Sequence, residues 1–510
     1  MAINPRDVQV SDAPTALRVI VPADSGHIVA VAVAPVHSAP GYKWTTPGSG
    51  ASPYAAVVNQ PVLCEIPSDF TTQLGYSNRF GPGEASPYPA CEVYDCAFVE
   101  HSVSPVTIIN PWDPWSMSTP RSLANLTMTA NNTIAVTGEV ILASLQVKGN
   151  TTNAVYVEGT DYSFSYDDAT LQNGTITVFS SSPLANESTV TVSFYEPNLA
   201  GIDKDKIIGG IQTDGTSTGL AVIEHVFPVT DLVPAIVITP GFGQDPEVYA
   251  AANSQCQNIN NGRFRAIYIG DIDATAVTKY SDINSWKNTN NYVSNFANAG
   301  WPAVHLEDKY YYASTMEAVL CAVTDRQFGN MPYVSPSNKS ASITGTCLFD
   351  RTPISIDPGQ VDYIENLGVF TWMNWRGWVS LGDYTNAWPN DTDPVHFWLP
   401  IRRMFCWLGN TLSVNLHQFI DLPGNLRTLT SINETIQAYL NTIVQAGAAW
   451  TARCSFNPDD NPIEEILAGR YHFQILWSPP TPIRTLLIQL VYDVDGLAAA
   501  IQNVQLISTS

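Results

Sequence analysis

Residues 232–249 read Leu-Val-Pro-Ala-Ile-Val-Ile-Thr-Pro-Gly-Phe-Gly-Gln-Asp-Pro-Glu-Val-Tyr. The run Ala235–Thr239 is apolar without alternation, as expected for a strand covered on both faces. After the turn, Asp245 stands where a side chain caps a helix, with Pro246 at the first helical position and Glu247 in the first turn. The pattern recurs downstream. Arg265–Ile269 reads as a strand followed by Asp271 and Asp273, and Ser314 begins a helix with Met316, Val319, Leu320 and Val323 on one side. Strands alternating with helices predict an open α/β layer, assigned to residues 201–375.

Working outward, His27–Val33, Pro61–Ile66 and Val106–Ile109 read as strands and Val93–Val99 as a helix. They make an α/β region over residues 25–110, preceded by an extended arm over residues 1–24. Between residues 111 and 200 Thr, Ser, Asn and Val dominate and charges nearly vanish. Ala154–Val157, Tyr162–Tyr166, Thr175–Phe179 and Thr189–Tyr195 are short strands parted by turns such as Glu158-Gly159 and Asn173-Gly174, the mark of a small all-β module. Residues 376–492 form a further region dense in tryptophan. There Ser431-Ile-Asn-Glu434 is a capping box opening a helix whose face is Ile436, Tyr439, Leu440 and Ile443. Ile463–Leu467 is a short helix stopped by Gly469. The fold class is multidomain α+β.

The C-terminus carries two alternating runs. Tyr471, Phe473, Ile475 and Trp477 fall on alternate positions, as do Leu486, Ile488, Leu490 and Tyr492. Period-two patterning marks strands with one buried face. The prolines of Ser478-Pro-Pro-Thr-Pro482 donate no ladder bonds, so the ribbon breaks between the runs. Residues 493–510 follow as a short tail. A terminal strand without an internal mate is either an edge hazard or a docking device.

Composition narrows the function classes. The chain has 510 residues, of which 45% are hydrophobic and only 14% charged, with a net charge of −23. A core of ample size follows, and three or four modules. The acidic balance argues against wrapping nucleic acid, which depends on neutralising phosphates. No secretory signal precedes the first region, and the apolar run Ile28–Val36 is too short to span a bilayer. The eight cysteines are scattered without a Cys-x-x-Cys pair, which suits free thiols in a reducing compartment.

Motifs with chemical potential read more simply as structure. Gly241-Phe-Gly243 follows a strand, but Pro246 stands where a dinucleotide fingerprint needs its third glycine. Asp271 and Asp273 close a strand without a His or Glu in a catalytic spacing, and no Gly-x-Ser-x-Gly or His-Glu-x-x-His occurs. Asp459, Asp460, Glu464 and Glu465 suit a solvated helix start. The tryptophans mix with Phe370, Val379 and Phe397, as in a packed core. Arg402 and Arg403 are a candidate partner-facing basic pair, or else make internal salt bridges. No catalytic, cofactor-binding or metal-ligating set is expected, and the inventory favours an assembly protein.

Several stretches, taken in order, resemble the tail sheath proteins of contractile bacteriophages and related injection machines. They are Leu232–Phe242, Phe264–Asp273, Pro332-Tyr-Val-Ser-Pro-Ser-Asn-Lys339, Leu399-Pro-Ile-Arg-Arg-Met-Phe405, Asn461–Gly469 and Ser478-Pro-Pro480, with Val157-Glu-Gly-Thr-Asp-Tyr162 in the middle module. The resemblance implies a subtilisin-like α/β core without protease chemistry, an inserted β-sandwich, a C-terminal sheath domain over residues 376–492 and extended terminal arms. It implies a homo-oligomer of stacked six-fold rings around a tail tube, with baseplate and neck or tail terminator proteins as further partners. Direct nucleic-acid contact and stable membrane insertion are not implied. Such a sheath belongs to the virion, is assembled in the bacterial host cytoplasm, and contracts to drive the tube through the host envelope for genome delivery. Subunits would be linked by strand exchange, with Ala2, Ile3, Val8 and Val10 at one end and Tyr471, Phe473, Ile475, Leu486, Ile488, Leu490 and Tyr492 at the other. The alternatives are a subtilisin-like or esterase-type hydrolase and a non-contractile virion structural protein.

Overall fold

Strands with apolar residues at every position need cover on both faces, and the central sheet supplies it. The computed structural model describes residues 20–43, 51–85 and 87–507, with side chains up to residue 501. Its largest sheet has six strands in the order Ala297–Gly300, Ile267–Asp271, Ile236–Ile238, Ile28–Val31, Val106–Ile109 and Pro61–Cys64. All neighbours are parallel except the last pair. Successive side chains divide between two cores. Ile28, Ala30, Ile236, Ile238, Ile267 and Ile269 join Met316, Val319 and Leu320 of the helix Ala313–Gln327 on one face. Val29, Val31, Val237 and Tyr268 join Val248, Tyr249, Ala252 and Cys256 of the helix Pro246–Gln257 on the other. The second helix starts as the sequence predicts, with Asp245 Oδ1 accepting from the N–H groups of Glu247 (2.8 Å) and Val248 (3.3 Å).

The middle of the chain folds into two antiparallel sheets. One pairs Ser118–Leu126, Val190–Pro197, Gln146–Gly149 and Val155–Tyr156; the other pairs Thr133–Thr137, Asn173–Val178 and Tyr162–Tyr166. Their inner faces share one core, in which Val147, Val192 and Phe194 of the first meet Ile134, Val136, Tyr162 and Ile176 of the second. That is a β-sandwich. A buried ion cluster fastens it to the central body. Glu139 accepts from Tyr88 Oη at 2.6 Å, lies 3.0 Å from His37 Nε2 and pairs with Arg79.

Toward the C-terminus the helices Leu399–Leu416 and Leu426–Gln445 enclose a separate core of Met404, Trp407, Leu408, Ile436, Leu440 and Ile443. Against it pack Ile475 and Trp477 of the strand Gln474–Trp477, which pairs antiparallel with Ala452–Ser455. The chain from Thr481 forms a compact unit of its own. There Thr485–Tyr492 has no ladder partner among the described residues, and a helix, Val494–Ile507, follows.

Several expectations are corrected. The helix expected at Val93–Val99 is an α-helix over Pro89–Tyr94 that widens into a π-turn over Asp95–Glu100. Ser431-Ile-Asn-Glu434 lies inside a helix already begun at Leu426, because Asn425 Oδ1 caps Thr428 N–H at 3.0 Å. The tail is helical over Val494–Ile507, since Leu497-Ala-Ala-Ala-Ile501 is rich in helix formers. Arg402 and Arg403 do not face a partner; they are 8% and 4% exposed. The Arg402 guanidinium lies 3.6 Å from the centroid of the Phe296 ring. Arg403 grips Asp325 with two bonds, Nη1–Oδ1 at 3.1 Å and Nη2–Oδ2 at 2.5 Å, and donates to the Ser25 carbonyl at 3.2 Å. The eight cysteines are free, and all but the half-buried Cys454 are buried. Among the described residues no helix is long and apolar enough to cross a membrane.

Removing one partner of a buried ion pair strands the other charge. Asp325→Ala is therefore expected to lower the unfolding free energy by about 3–5 kcal/mol, read from the denaturant midpoint. An unchanged midpoint contradicts this role for the pair.

Candidate assembly edge

The residues weighed for chemistry are spent on holding helices. Asp271 ends its strand at 1% exposure. Its Oδ1 accepts from Ser314 N–H at 2.9 Å and its Oδ2 from Ser314 Oγ at 2.6 Å. Glu92 accepts from Tyr312 N–H at 2.8 Å. Two carboxyls thus meet orphan N–H groups at the start of the helix Ala313–Gln327. Glu317, inside that helix, accepts from Ser380 Oγ at 2.8 Å. Asp273 caps its own turn through Thr275 N–H at 2.8 Å. The Gly243 carbonyl accepts from Tyr292 Oη at 3.1 Å, so the Gly241-Phe-Gly243 turn is tied to the core. Among the described residues no group of three or more His, Cys, Asp or Glu side chains could hold a metal ion.

The terminal strand pair offers a different kind of site. Ala452 faces Trp477, Arg453 faces Leu476, Cys454 faces Ile475 and Ser455 faces Gln474. Gln437, on the helix Leu426–Gln445, lies along the Ala452–Ser455 strand. Its Oε1 accepts from Cys454 N–H at 2.8 Å and its Nε2 donates to the Ala452 carbonyl at 3.3 Å. The outer side of that strand is thereby filled by a side-chain amide imitating a further strand. Asn461 does the same beyond the ladder's other end: its Oδ1 accepts from His472 N–H at 2.7 Å, and its Nδ2 donates to the His472 carbonyl at 2.9 Å. In an antiparallel pair the backbone groups of successive residues point alternately toward and away from the partner. Since Cys454 and Ala452 turn away from the ladder, so do their opposites Ile475 and Trp477. Their N–H and C=O groups therefore form an edge, and among the described residues the sheet has two strands.

Of the proposed exchange residues, Tyr471, Phe473 and Ile475 lie on or next to this strand. Phe473 stacks near Phe456 with centroids 5.1 Å apart, and the neighbouring Trp477 ring lies 5.1 Å from Phe405. Leu486, Ile488, Leu490 and Tyr492 belong to the terminal unit, where they are 75%, 79%, 92% and 75% exposed. Ala2, Ile3, Val8 and Val10 fall outside the described residues. Sequence reasoning missed Gln437 and Asn461, because nothing local distinguishes a carboxamide that will meet a strand edge from one facing water.

Comparison with known proteins gives these surfaces a context. No protein-family model matches the chain. The tail sheath protein of Burkholderia phage BcepMu is 24% identical over 439 residues, covering 82% of this chain and 86% of the relative. The tail sheath protein of Escherichia phage P2 is 23% identical over 295 residues, covering 56% and 69%. Among solved structures, the sheath complex of an extracellular contractile injection system (PVC) in its contracted state superposes with a TM-score of 0.55 at 12% identity. That match covers 97% of this chain and 100% of the other. The shared fold is the mixed α+β, several-sheet architecture described above.

The buried carboxyls set a pH dependence. Burial pushes Asp271 up to about 6, Glu317 up to about 7 and Glu92 up to about 8. Each folded value lies above its unfolded one, so the stability these groups contribute is complete below about pH 4 and is lost as pH rises through about 6 to 8. Glu92→Gln keeps the shape and removes one titration. The fall in unfolding free energy between about pH 5 and about pH 9 is expected to shrink by about 2–5 kcal/mol in that variant. A variant with the parent's pH dependence contradicts the assignment.

Proposed function

We propose that this chain is the structural subunit of a contractile tail sheath. The observation that carries the reading is the likeness of nearly the whole chain to a sheath fold, joined to similarity with phage tail sheath proteins over most of its length. The chain is a structural component and not an enzyme. Subunits stack as six-fold rings around a tail tube, between a baseplate and a neck or terminator complex, after assembly in the host cytoplasm. The central α/β region is the subtilisin-like core, the sandwich is its insertion, and the region from about residue 376 is the sheath domain.

Linkage between subunits rests on strand exchange at the terminal strand pair. The reading is supported by the edge at Ile475 and Trp477 and by the exposed alternating run Leu486, Ile488, Leu490 and Tyr492. Backbone hydrogen bonds carry such contacts, so the link survives while the subunit bodies turn as units. The extended sheath is held kinetically, and contraction drives the tube through the host envelope for genome delivery.

Electron microscopy of the particle tests this. Tubes of two distinct diameters, before and after triggering, are expected. Deleting residues 1–10, or everything after Tyr492, is expected to leave folded subunits that build no sheath. Tubes of one diameter under all conditions indicate a non-contractile structural protein, and normal contractile tails from either deletion overturn the arm assignment.

A further inference from the structure

We propose that Arg402 and Arg265 together form a binding site for one oxyanion, a carboxylate or phosphate group, at the start of the helix Leu399–Leu416. The site itself does not depend on the sheath reading. Arg402 ends the first turn of this 18-residue helix, and that turn carries no acidic residue. The positive end of a helix dipole is a poor place for a cation and a good one for an anion. Arg402 is nonetheless buried there, with its guanidinium 3.6 Å from the centroid of the Phe296 ring. Its Nε is buried with no hydrogen-bond partner among the described residues. A desolvated charge held in this way needs a counter-charge.

The surrounding chain does not supply one. Among the described residues no carboxylate forms an ion pair with Arg402 or Arg265, whereas the adjacent Arg403 has Asp325. Two carboxylates in the neighbourhood are engaged by backbone. Asp393, which acts on Arg402 at longer range, accepts from Val395 N–H at 2.9 Å. Asp24, which lines a small cavity with Arg265 and Arg403, accepts from Gly26 N–H at 2.9 Å. Cys406 stands about one turn along from Arg402. Burial pushes its thiol up, so it stays neutral and offers no negative charge.

Arg265 is placed as the second jaw. Asn410 lies about two turns beyond Arg402 on the same helix face and fixes the main chain of Arg265 from both sides. Its Oδ1 accepts from Arg265 N–H at 2.9 Å, and its Nδ2 donates to the Arg265 carbonyl at 2.8 Å. The Arg265 side chain is exposed. It is near enough to repel Arg402, adding to the lowering of the Arg402 pKa that burial causes first. Two guanidiniums, one dry and one exposed, suit the paired oxygens of a carboxylate or phosphate. Such a group takes hydrogen bonds from both and relieves their repulsion. It comes either from a free anion or from an acidic side chain of a second copy, since the chain carries 46 Asp and Glu residues.

Titration of the full-chain subunit with inorganic phosphate, against chloride at matched ionic strength, tests the site by calorimetry and thermal unfolding. The parent is expected to bind phosphate saturably with a Kd of about 1 mM and to gain thermal stability as it fills. Arg265→Gln, a change at an exposed position, should weaken binding by at least about tenfold. Arg402→Met should abolish saturable binding. Without phosphate it should unfold at or above the parent's midpoint, because an uncompensated buried charge has been removed. An arginine with a packing role alone would lose stability on that change, so a lower midpoint contradicts the proposal. A phosphate response no greater than that of chloride overturns it, as does an R265Q variant with the parent's affinity. Repeating the titration on assembled particles separates the two sources. Phosphate that still binds there marks a free-anion site, and phosphate that binds the free subunit alone marks a site filled by a neighbour's carboxylate.

Discussion

Every backbone N–H and C=O withdrawn from water needs a partner, and the main sheets of the described residues meet that demand by pairing strands. The central sheet runs its ladder through six strands and buries both faces under helices. The sandwich closes its own core. At the strand pair the accounting changes. The Gln437 amide covers the outer side of Ala452–Ser455, the Asn461 amide pairs with His472 beyond the ladder, and the N–H and C=O groups of Ile475 and Trp477 face away from it. Protecting an edge by charge or proline repels every partner. Here a carboxamide covers one edge of the pair instead.

The parts of the body are joined by buried charge. Body and sandwich meet through the buried carboxylate of Glu139, shared among His37, Arg79 and Tyr88. The helix Leu399–Leu416 is pinned to the body by Arg403, Asp325 and the Ser25 carbonyl. Desolvated ion pairs of this kind are costly to pull apart one partner at a time.

Much of this was legible in the sequence where local chemistry and tertiary setting agree. Val106–Ile109 and Tyr162–Tyr166 fall where β-branched and aromatic residues lie between turn formers. Ile463–Leu467 is bounded by Pro462 and Gly469, and the cap at Asp245 is complete within its own helix turn. Errors arose where a local pattern has two settings. A Ser-x-x-Glu motif looks the same in a first turn and in a helix interior, and only Asn425 fixes the start. Two adjacent arginines suggest that one is exposed, yet Phe296 and Asp325, distant in sequence, receive both. The strand edge was half visible: alternation revealed the strands, but the residues that cover the backbone around them are ordinary carboxamides in sequence.

The central claim is a sheath lattice joined through that edge. A cryo-electron map of the assembled particle, in its extended and contracted states, measures it most directly. The account predicts two helical lattices built from the same subunit body. In both, a neighbour's strand is hydrogen-bonded to Ile475 and Trp477, and Gln437 still covers Ala452–Ser455. A single lattice, or a strand pair left two-stranded in the assembly, contradicts it.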